Sequence, residues 1–478
     1  MNIIVSRRAF LASAAATSLV GCRSFSPFGS SNPDIRFGVL SDIHVTTPES
    51  AAVFKNALRY FDAQGADAVM IAGDLADHGL LVELRNVADA WNEVFPDGKG
   101  SDGRPVEKLF IYGNHDPEGL KYRDVFMDST FAKLNLSYED AEKQTLSAIG
   151  LGAAWRECFG EEYASVYHKT VKGFDFFGAH WDPANGSGWN RSAEIRPLFS
   201  RVEGQLDPER PFFYFQHPSL RDTTFGSWSW SPDAGLAKAV LSRHPNAVAF
   251  SGHTHYPLTD ERFVWRGEFT SIATGSLSYI CLPGHRDNTD LLNKSIREAV
   301  GTPKAVAQGQ LVSVYDGHMT VLRRDFVRDL DLGPALDLET PLERPCPFGA
   351  RAAKAIPPEF APNAWLKTER FNEKTADGKV EKVRFSFPPA TASGTRAYDY
   401  ELKVEVRYAD VERVHLCRRL FSPSAALPSQ ADAEVLSISH EYEGWNFPKE
   451  ALHRVTVTPL DSYGVRGKPL VGEWCVIA

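Results

Sequence analysis

Five short polar clusters carry the chemistry of this chain: SDIH with Asp42 and His44, GD with Asp74, GNHD with Asn114, His115 and Asp116, QH with His217, and GHTH with His253 and His255. Each directly follows an apolar, strand-like run, respectively IRFGVL, AVMIA, KLFIY, FFYF and AVAF. Reactive side chains at strand ends are expected to gather at the carboxyl edge of one sheet, where open α/β sheets keep their sites. Asp42, His44, Asp74, Asn114, His217, His253 and His255 together offer two carboxylates, one amide oxygen and four imidazoles, enough for two metal ions. Such a mixed nitrogen and oxygen set suits Mn, Fe or Zn better than calcium, which prefers oxygen alone. Asp74 follows a glycine, which leaves its second oxygen uncrowded and makes it the bridging candidate.

Taken singly, each cluster has an ordinary reading. A strand-end aspartate caps a helix, Gly-Asn before Pro117 makes a turn, and an isolated HxH forms a polar face. Their order, and the strand that each one terminates, set the group apart from these readings.

The elements that position the clusters alternate between strand-like and helix-like texture. Phe54, Leu58 and Phe61 recur at helical spacing after SDIH, and 80–94 repeats the pattern before FPDGKGSDG breaks it. Alternation of this kind predicts parallel strands with crossover helices. The stretch from Pro117 to about Glu162 is too long for a plain connection and reads as a helical insertion. GFDFFGA, GEFTSIATGS, QLVSVYD and HMTVLRRDF come close together without helices and suggest a second sheet. The expected architecture is therefore α/β, a four-layer α-β-β-α sandwich over 35–328. A proline-rich linker over 329–365 and a small all-β sandwich over 366–478 follow, the latter built from VEKVRFSF, YELKVEVRY, AEVLSISHEY, HRVTVTPLDSYG and GEWCVI.

Residues 1–22 read as an export signal. Paired Arg7 and Arg8 precede the apolar stretch LASAAATSLV, too short for a membrane span and built like a twin-arginine signal. Leu19-Val20-Gly21-Cys22 looks like a lipobox, with Cys22 the lipidated first residue of a protein tethered at a membrane through 23–34, in the periplasm or at the cell surface. The competing readings are a plain signal peptide with a chance cysteine and a buried N-terminal helix.

Composition, at 43% hydrophobic and 24% charged, is that of a soluble globular protein, and 478 residues exceed what one core usually holds. Removing residues 1–21 takes away Arg7 and Arg8 and no acid, which moves the formal charge from −9 to −11. An acidic chain without a basic run is poorly suited to grip nucleic acid by its phosphates. Neither GxSxG nor GxxxxGK[ST] occurs, which removes serine-hydrolase and nucleotide-loop chemistry. Cys158, Cys281, Cys346, Cys417 and Cys475 are scattered without a CxxC spacing and are expected to be buried free thiols, one disulfide among the C-terminal ones being the alternative.

As a set, the clusters over about residues 35–325 resemble the calcineurin-like metallophosphoesterases, the superfamily of purple acid phosphatases and protein Ser/Thr phosphatases. The resemblance implies Asp42, His44 and His255 around one metal, Asn114, His217 and His253 around the other, and Asp74 between them. It also implies that His115 faces the scissile phosphate as general acid or charge stabiliser, with Asp116 orienting it. The substrate would be a small phosphoester. The DSYGVRGKPL ending resembles fibronectin type III-like appendages.

Other residues near the clusters carry two readings. His180, in FFGAHWDP, could contact substrate or sit buried against Asp182; His78 has a loop role. Trp189, Trp228 and Trp230 either rim the pocket or shield loops from solvent. His285, Arg286 and Lys294 either bind phosphate or belong to a solvated loop. A rival class is a lipoprotein with a vestigial site whose β-domain binds glycan or protein; the intact ligand set argues against it. The lipobox reading predicts that the protein fractionates with membranes and that Cys22→Ser releases it to the soluble fraction.

Overall fold

A computed structural model describes residues 32–122, 127–183, 192–226, 229, 231–281, 306–376, 378–391, 397–422 and 437–477. The export signal with Cys22, residues 23–31 of the tether, Trp189, Trp228, Trp230, His285, Arg286 and Lys294 lie outside the described residues.

Strands β1 (Ile35–Leu40), β2 (Ala68–Ala72) and β3 (Glu107–Ile111) run parallel, crossed by helices α1 (Ala52–Ala63) and α2 (Leu81–Val94). Their side chains alternate between two cores, as the two-residue strand period requires. Ile35, Phe37, Val39, Ala68, Met70, Leu109 and Ile111 face a second sheet, while Leu40, Val69, Ile71 and Phe110 face the helices. Both faces are buried, which explains why these strands read as unbroken apolar runs. Gly38 of β1 lies under the Phe61 ring of α1, and a Cβ there would sit 2.4 Å from it.

The expected helical insertion is present as α3 (His115–Glu118), α4 (Met127–Leu134), α5 (Tyr138–Lys143), α6 (Leu146–Ile149) and α7 (Leu151–Phe159). The second sheet then forms from β4 (Val166–Val171), β5 (Phe174–Ala179), β6 (Phe212–Gln216), β7 (Ala247–Ser251), β8 (Val264–Arg266) and β9 (Thr270–Ala273), in the order β4-β5-β6-β7-β9-β8. Helices α8 (Ser192–Val202) and α9 (Leu236–Leu241) belong to this half. Phe174, Phe176, Phe213, Phe215, Val248 and Phe250 meet the first sheet. Phe177, Tyr214 and Ala249 pack with Ile195 and Phe199 of α8 and Ala237 of α9. The domain is thus a four-layer α-β-β-α sandwich.

Three placements differ from the sequence reading. The five clusters do not share one sheet: β1, β2 and β3 carry three of them in the first sheet, and β6 and β7 carry two in the second. Apolar runs such as FFYF and AVAF are buried on both faces, so their periodicity does not tell which sheet they join. GFDFFGA and GEFTSIATGS do join the second sheet, as β5 and β9, but β10 (Gln308–Tyr315) and β11 (His318–Asp325) return to the first, with β10 antiparallel to β1. Further strands β12 (Leu330–Asp331) and β13 (Leu336–Glu339) pair with β11, so the first sheet extends to Glu339, inside the stretch expected to link the two halves.

The C-terminal region follows a short helix, α10 (Phe348–Ala352), and is all-β: β14 (Lys367–Thr375), β15 (Gly378–Phe387), β16 (Asp399–Tyr408), β17 (Val411–Phe421), β18 (Ile438–Glu443), β19 (Leu452–Leu460) and β20 (Leu470–Val471). A β14-β15-β18 sheet packs on a β17-β16-β19-β20 sheet, with Val383, Phe385 and Phe387 against Tyr400, Leu402, Val404, Val455 and Val457. Strands β14, KTERFNEKT, and β17, VERVHLCRRLF, have no apolar alternation because little of either is buried. GEWCVI forms no strand beyond an isolated bridge between His453 and Cys475. The five described cysteines are free thiols, and no described helix is long and apolar enough to cross a membrane.

Gly38→Ala should force Phe61 and α1 away from β1 at an overpacking cost of about 1–3 kcal/mol. Thermal or denaturant unfolding measures it, and wild-type stability in the variant would contradict this packing.

Candidate metal centre

All five clusters converge where the carboxyl ends of the two sheets meet. Asp42, His44, Asp74, Asn114, His217, His253 and His255 are all buried. Five of these residues take left-handed backbone, with φ of 52° at Asp42, 44° at His44, 54° at Asp74, 70° at His253 and 53° at His255. L-residues adopt this region at a cost, and such outliers cluster at functional sites. The turn throws each side chain sideways off its strand end into the seam.

The glycines beside the ligands have a steric reason. A Cβ at Gly113 would lie 2.2 Å from Asp74 Oδ1, one at Gly73 2.4 Å from His217 Nδ1, and one at Gly252 1.8 Å from Ser41 Oγ and 2.6 Å from Asp42 Oδ2. The GD, GN and GH dipeptides therefore bring the backbone of one motif against the side chain of another.

Two groups of donors face each other across Asp74. In the first, His255 Nε2 is 3.0 Å from Asp42 Oδ1 and 3.3 Å from His44 Nε2, and His44 Nε2 is 3.5 Å from Asp74 Oδ2. Ligand atoms of Asp42, His44, Asp74 and His255 all lie within 4.8 Å of one another, a cluster able to hold a cation. In the second, His217 Nε2 is 3.2 Å from Asp74 Oδ2, 3.0 Å from Asn114 Oδ1 and 3.3 Å from His253 Nδ1.

The other ring nitrogens are held by acceptors. His44 Nδ1 donates to Asp77 Oδ1 at 2.8 Å, His217 Nδ1 to the Ala72 carbonyl at 2.8 Å and His255 Nδ1 to the Tyr279 carbonyl at 3.0 Å. With those protons fixed, the Nε2 lone pairs point into the seam, the outer-shell arrangement that metal-ligating histidines use. His44 Nε2 and His255 Nε2, each with its Nδ1 proton committed elsewhere, would oppose lone pairs at 3.3 Å unless a proton or a metal ion lies with them, so the donor chemistry fits a cation.

Electrostatics agree. Burial works against the Asp42 carboxylate, but His255 and then His217 outweigh it and hold its pKa at about 2. Asp74 is likewise held well below the usual range against its burial, chiefly by His217. Burial also opposes charge on His44 and His217, but Asp77 raises the first to about 9 and Asp74 the second to about 9. His253, buried beside the His217 charge, is driven down to about 3. Imidazolium protons thus occupy positions from which metal ions would displace them.

The structure reassigns three neighbours. Asp116 does not orient His115: its two carboxylate oxygens accept backbone N–H groups of Leu75 at 3.2 Å, Ala76 at 2.8 Å and Gly113 at 2.7 Å, tying the GD loop to GNHD. Burial and then the Asp74 charge raise the Asp116 carboxyl to about 7. His115 is held by residue 77 instead, its Nδ1 donating to the Asp77 carbonyl at 2.7 Å. His180 is not presented to a substrate: it is 1% exposed, its Nδ1 accepts the Tyr112 N–H at 3.1 Å, and Tyr112, Trp155, Tyr163 and Tyr167 rings surround it. Asp182 accepts from the Tyr163 hydroxyl. His78 has its loop role, with Nδ1 2.8 Å from the buried Glu83, whose other oxygen accepts the N–H groups of His78 and Leu80.

Asp77 was missed in the sequence, although an acid three residues past Asp74 in GDLAD was the available signal. Its side chain joins His44 and approaches His115 Nδ1 at 3.7 Å. Tyr279 was missed as well; its ring stacks on His255 at 4.0 Å and is 40% exposed at the mouth.

Residues 35–257 match the family model described as calcineurin-like phosphoesterase. Among solved structures, the chain is similar to a dimetal phosphatase from Danio rerio, 13% identical, covering 65% of this chain and 100% of that one at a TM-score of 0.36. It is similar to GAP50, the anchor in the inner membrane complex of Plasmodium, at 13% identity over 64% and 89% with a TM-score of 0.37. A third is Vps29 complexed with zinc from Entamoeba histolytica, at 12% identity over 63% and 99% with a TM-score of 0.29. No curated protein matches the chain.

Metal uptake should release protons. His44 and His217 are raised to about 9 in the metal-free chain, so near pH 7 both are protonated, and ligation requires the neutral ring. Apparent metal affinity should therefore rise with pH towards about 9 and level off above it, with acidification measurable in an indicator dye. Affinity that is flat over that range would contradict the assigned charges.

Proposed function

We propose that the protein is an exported, lipid-anchored phosphoesterase with a dinuclear centre of Mn, Fe or Zn, hydrolysing a small phosphomonoester or phosphodiester. The observation that carries this reading is the position of Asp74 Oδ2, 3.5 Å from His44 Nε2 and 3.2 Å from His217 Nε2, between two separate donor groups. Asp42, His44 and His255 would hold one metal and Asn114, His217 and His253 the other, with Asp74 common to both. Bound there, the two ions would supply charge neutralisation at phosphoryl oxygens and a water activated near neutral pH.

The chain's own residues supply the rest. His115 sits at the open side of the centre, its ring 4.6 Å from that of His44. With Nδ1 committed to the Asp77 carbonyl, Nε2 is the atom that can give a proton to a departing oxygen. Burial lowers the His115 pKa, so its imidazolium is a stronger acid than an ordinary one, and its contribution fades as pH rises through that lowered value. Asp77 anchors His44 and His115 together, coupling the ligand shell to the acid. Asp116 keeps the GD and GNHD loops in register.

Export through residues 1–22, tethering through Cys22 and 23–34, and a fibronectin type III-like C-terminal unit belong to the same proposal. Support for the last is the pairing pattern: the first two strands form a hairpin in one sheet, the next two a hairpin in the other, and the fifth returns to the first sheet.

Metal-replete protein should hydrolyse p-nitrophenyl phosphate or its bis ester, and no turnover across a broad panel of phosphoesters would overturn the enzymatic reading. His115→Ala should keep its metal and lose about 10²- to 10⁴-fold in turnover of alkyl phosphates, as expected for general acid help. The loss should be smaller for p-nitrophenyl phosphate, whose leaving group departs without a proton. Metal loss in that variant would make His115 a ligand instead.

A further inference from the structure

The segment that follows GHTH leads straight from the metal centre into the C-terminal sandwich. Two residues beyond His255, Pro257 begins a run in which Leu258, Thr259, Asp260, Arg262 and Phe263 are all buried. On one side this run is fixed to the first sheet: Leu258 N donates to Gln308 Oε1 at 2.7 Å, and Arg323 Nη1 donates to the Leu258 carbonyl at 3.0 Å. On the other it meets the sandwich and the segment before it. The Arg262 guanidinium is joined to Asp260, with Nε 2.9 Å from Oδ1, and lies 5.3 Å from the centroid of the Tyr398 ring. Asp399, next to Tyr398, is paired with Arg419 at 2.8 Å and adds to the field that favours charge on Arg262, against its burial. Ser462, past β19, donates its hydroxyl to Glu261, and Arg351 of α10 donates to the Val264 carbonyl at 2.6 Å while facing the Tyr463 ring at 5.3 Å.

Asp260, Arg262, Asp399 and Arg419 are each 0% exposed. Buried ion pairs contribute little net stability, and they hold only where the geometry is fixed. Interfaces between domains of one chain are ordinarily polar and permit relative motion. Each pair lies within one part, Asp260 with Arg262 in the loop and Asp399 with Arg419 in the sandwich, and the two parts meet where the guanidinium of the first faces the Tyr398 ring and where Ser462 bonds Glu261, contacts that fix one register between the phosphoesterase domain and the sandwich. What they lock lies five residues from His255, whose left-handed backbone, like that of His253, needs support from outside the turn.

We propose that the C-terminal sandwich is a clamp on the metal-ligand loop, with Tyr398 and Arg262 as positioning residues that hold His253 and His255 in their ligating geometry. The inference rests on the metal-centre reading, and cobalt binding separates the two. Wild-type full-length protein titrated with Co(II) should develop visible absorption from His-ligated cobalt. Tyr398→Ala should remain folded by circular dichroism, bind Co(II) about 10- to 100-fold more weakly, in the range of losses on removing an outer-shell support, and show an altered absorption envelope. Tyr398→Phe, which keeps the ring face towards Arg262, should restore both. If Tyr398→Ala does not fold, Tyr398→Leu fills the volume without the ring face and is compared in the same way. A folded Ala or Leu variant with wild-type cobalt affinity and spectrum overturns the clamp and leaves the metal centre standing. Absence of cobalt binding by the wild type overturns both.

Discussion

Carboxylates and imidazoles buried against one another must have a cation among them. Seven polar side chains meet in the seam between two sheets, shielded from the water that would otherwise solvate them, and isolated charges are far too costly to leave there. The metal-free chain meets the demand with protons on His44 and His217, paired against Asp42 and Asp74. Metal ions would meet it better, because each can collect three or four donors at once. The left-handed backbone at five of these side chains, the glycines that clear their approach and the acceptors that fix the ring tautomers all serve that convergence.

The layered fold follows from the same requirement. Strands whose ends carry reactive groups need rigid bodies, and burial on both faces supplies the rigidity: Phe37 meets Phe176 and Phe213 across the sheet interface while Gly38 admits Phe61 from the helix side. Bringing two sheets together doubles the number of strand ends that can reach one point. Ligands then arrive from both sides of Asp74, which a single row of strand ends could not arrange. Asp77, Glu83 and His78 tie the loop after β2 to α2, so the helix layer also bears on the ligand shell.

Much of this was readable in the sequence because it is local. The clusters stand beside the apolar runs that end in them, the helical insertion shows its own length, and the alternating strands of the C-terminal region mark their inner faces. Where the reading failed, the missing information was non-local. Asp116 looked like the partner of His115 because it is adjacent in the chain, yet its carboxylate reaches across to the amides of Leu75 and Ala76, while Asp77 comes back to take the histidine. His180 ends a strand as the five clusters do, but the aromatic side chains around it come from Tyr112 just past β3, from β4, from α7 and from the loop before β4. The strands β14 and β17 were overlooked because their side chains lie largely in solvent and carry no burial pattern.

The sequence by itself determined the donor inventory, the strand-end position of every cluster and the class of chemistry, since these depend on residue type and on neighbours a few positions away. Only the tertiary structure decided that the donors come from two sheets, that residue 77 and not 116 holds His115, and that the β-sandwich grips the loop beyond His255. Each of those depends on which buried faces pack together. Packing is chosen by the shape and burial of the whole chain, and a period-two apolar run is compatible with either sheet.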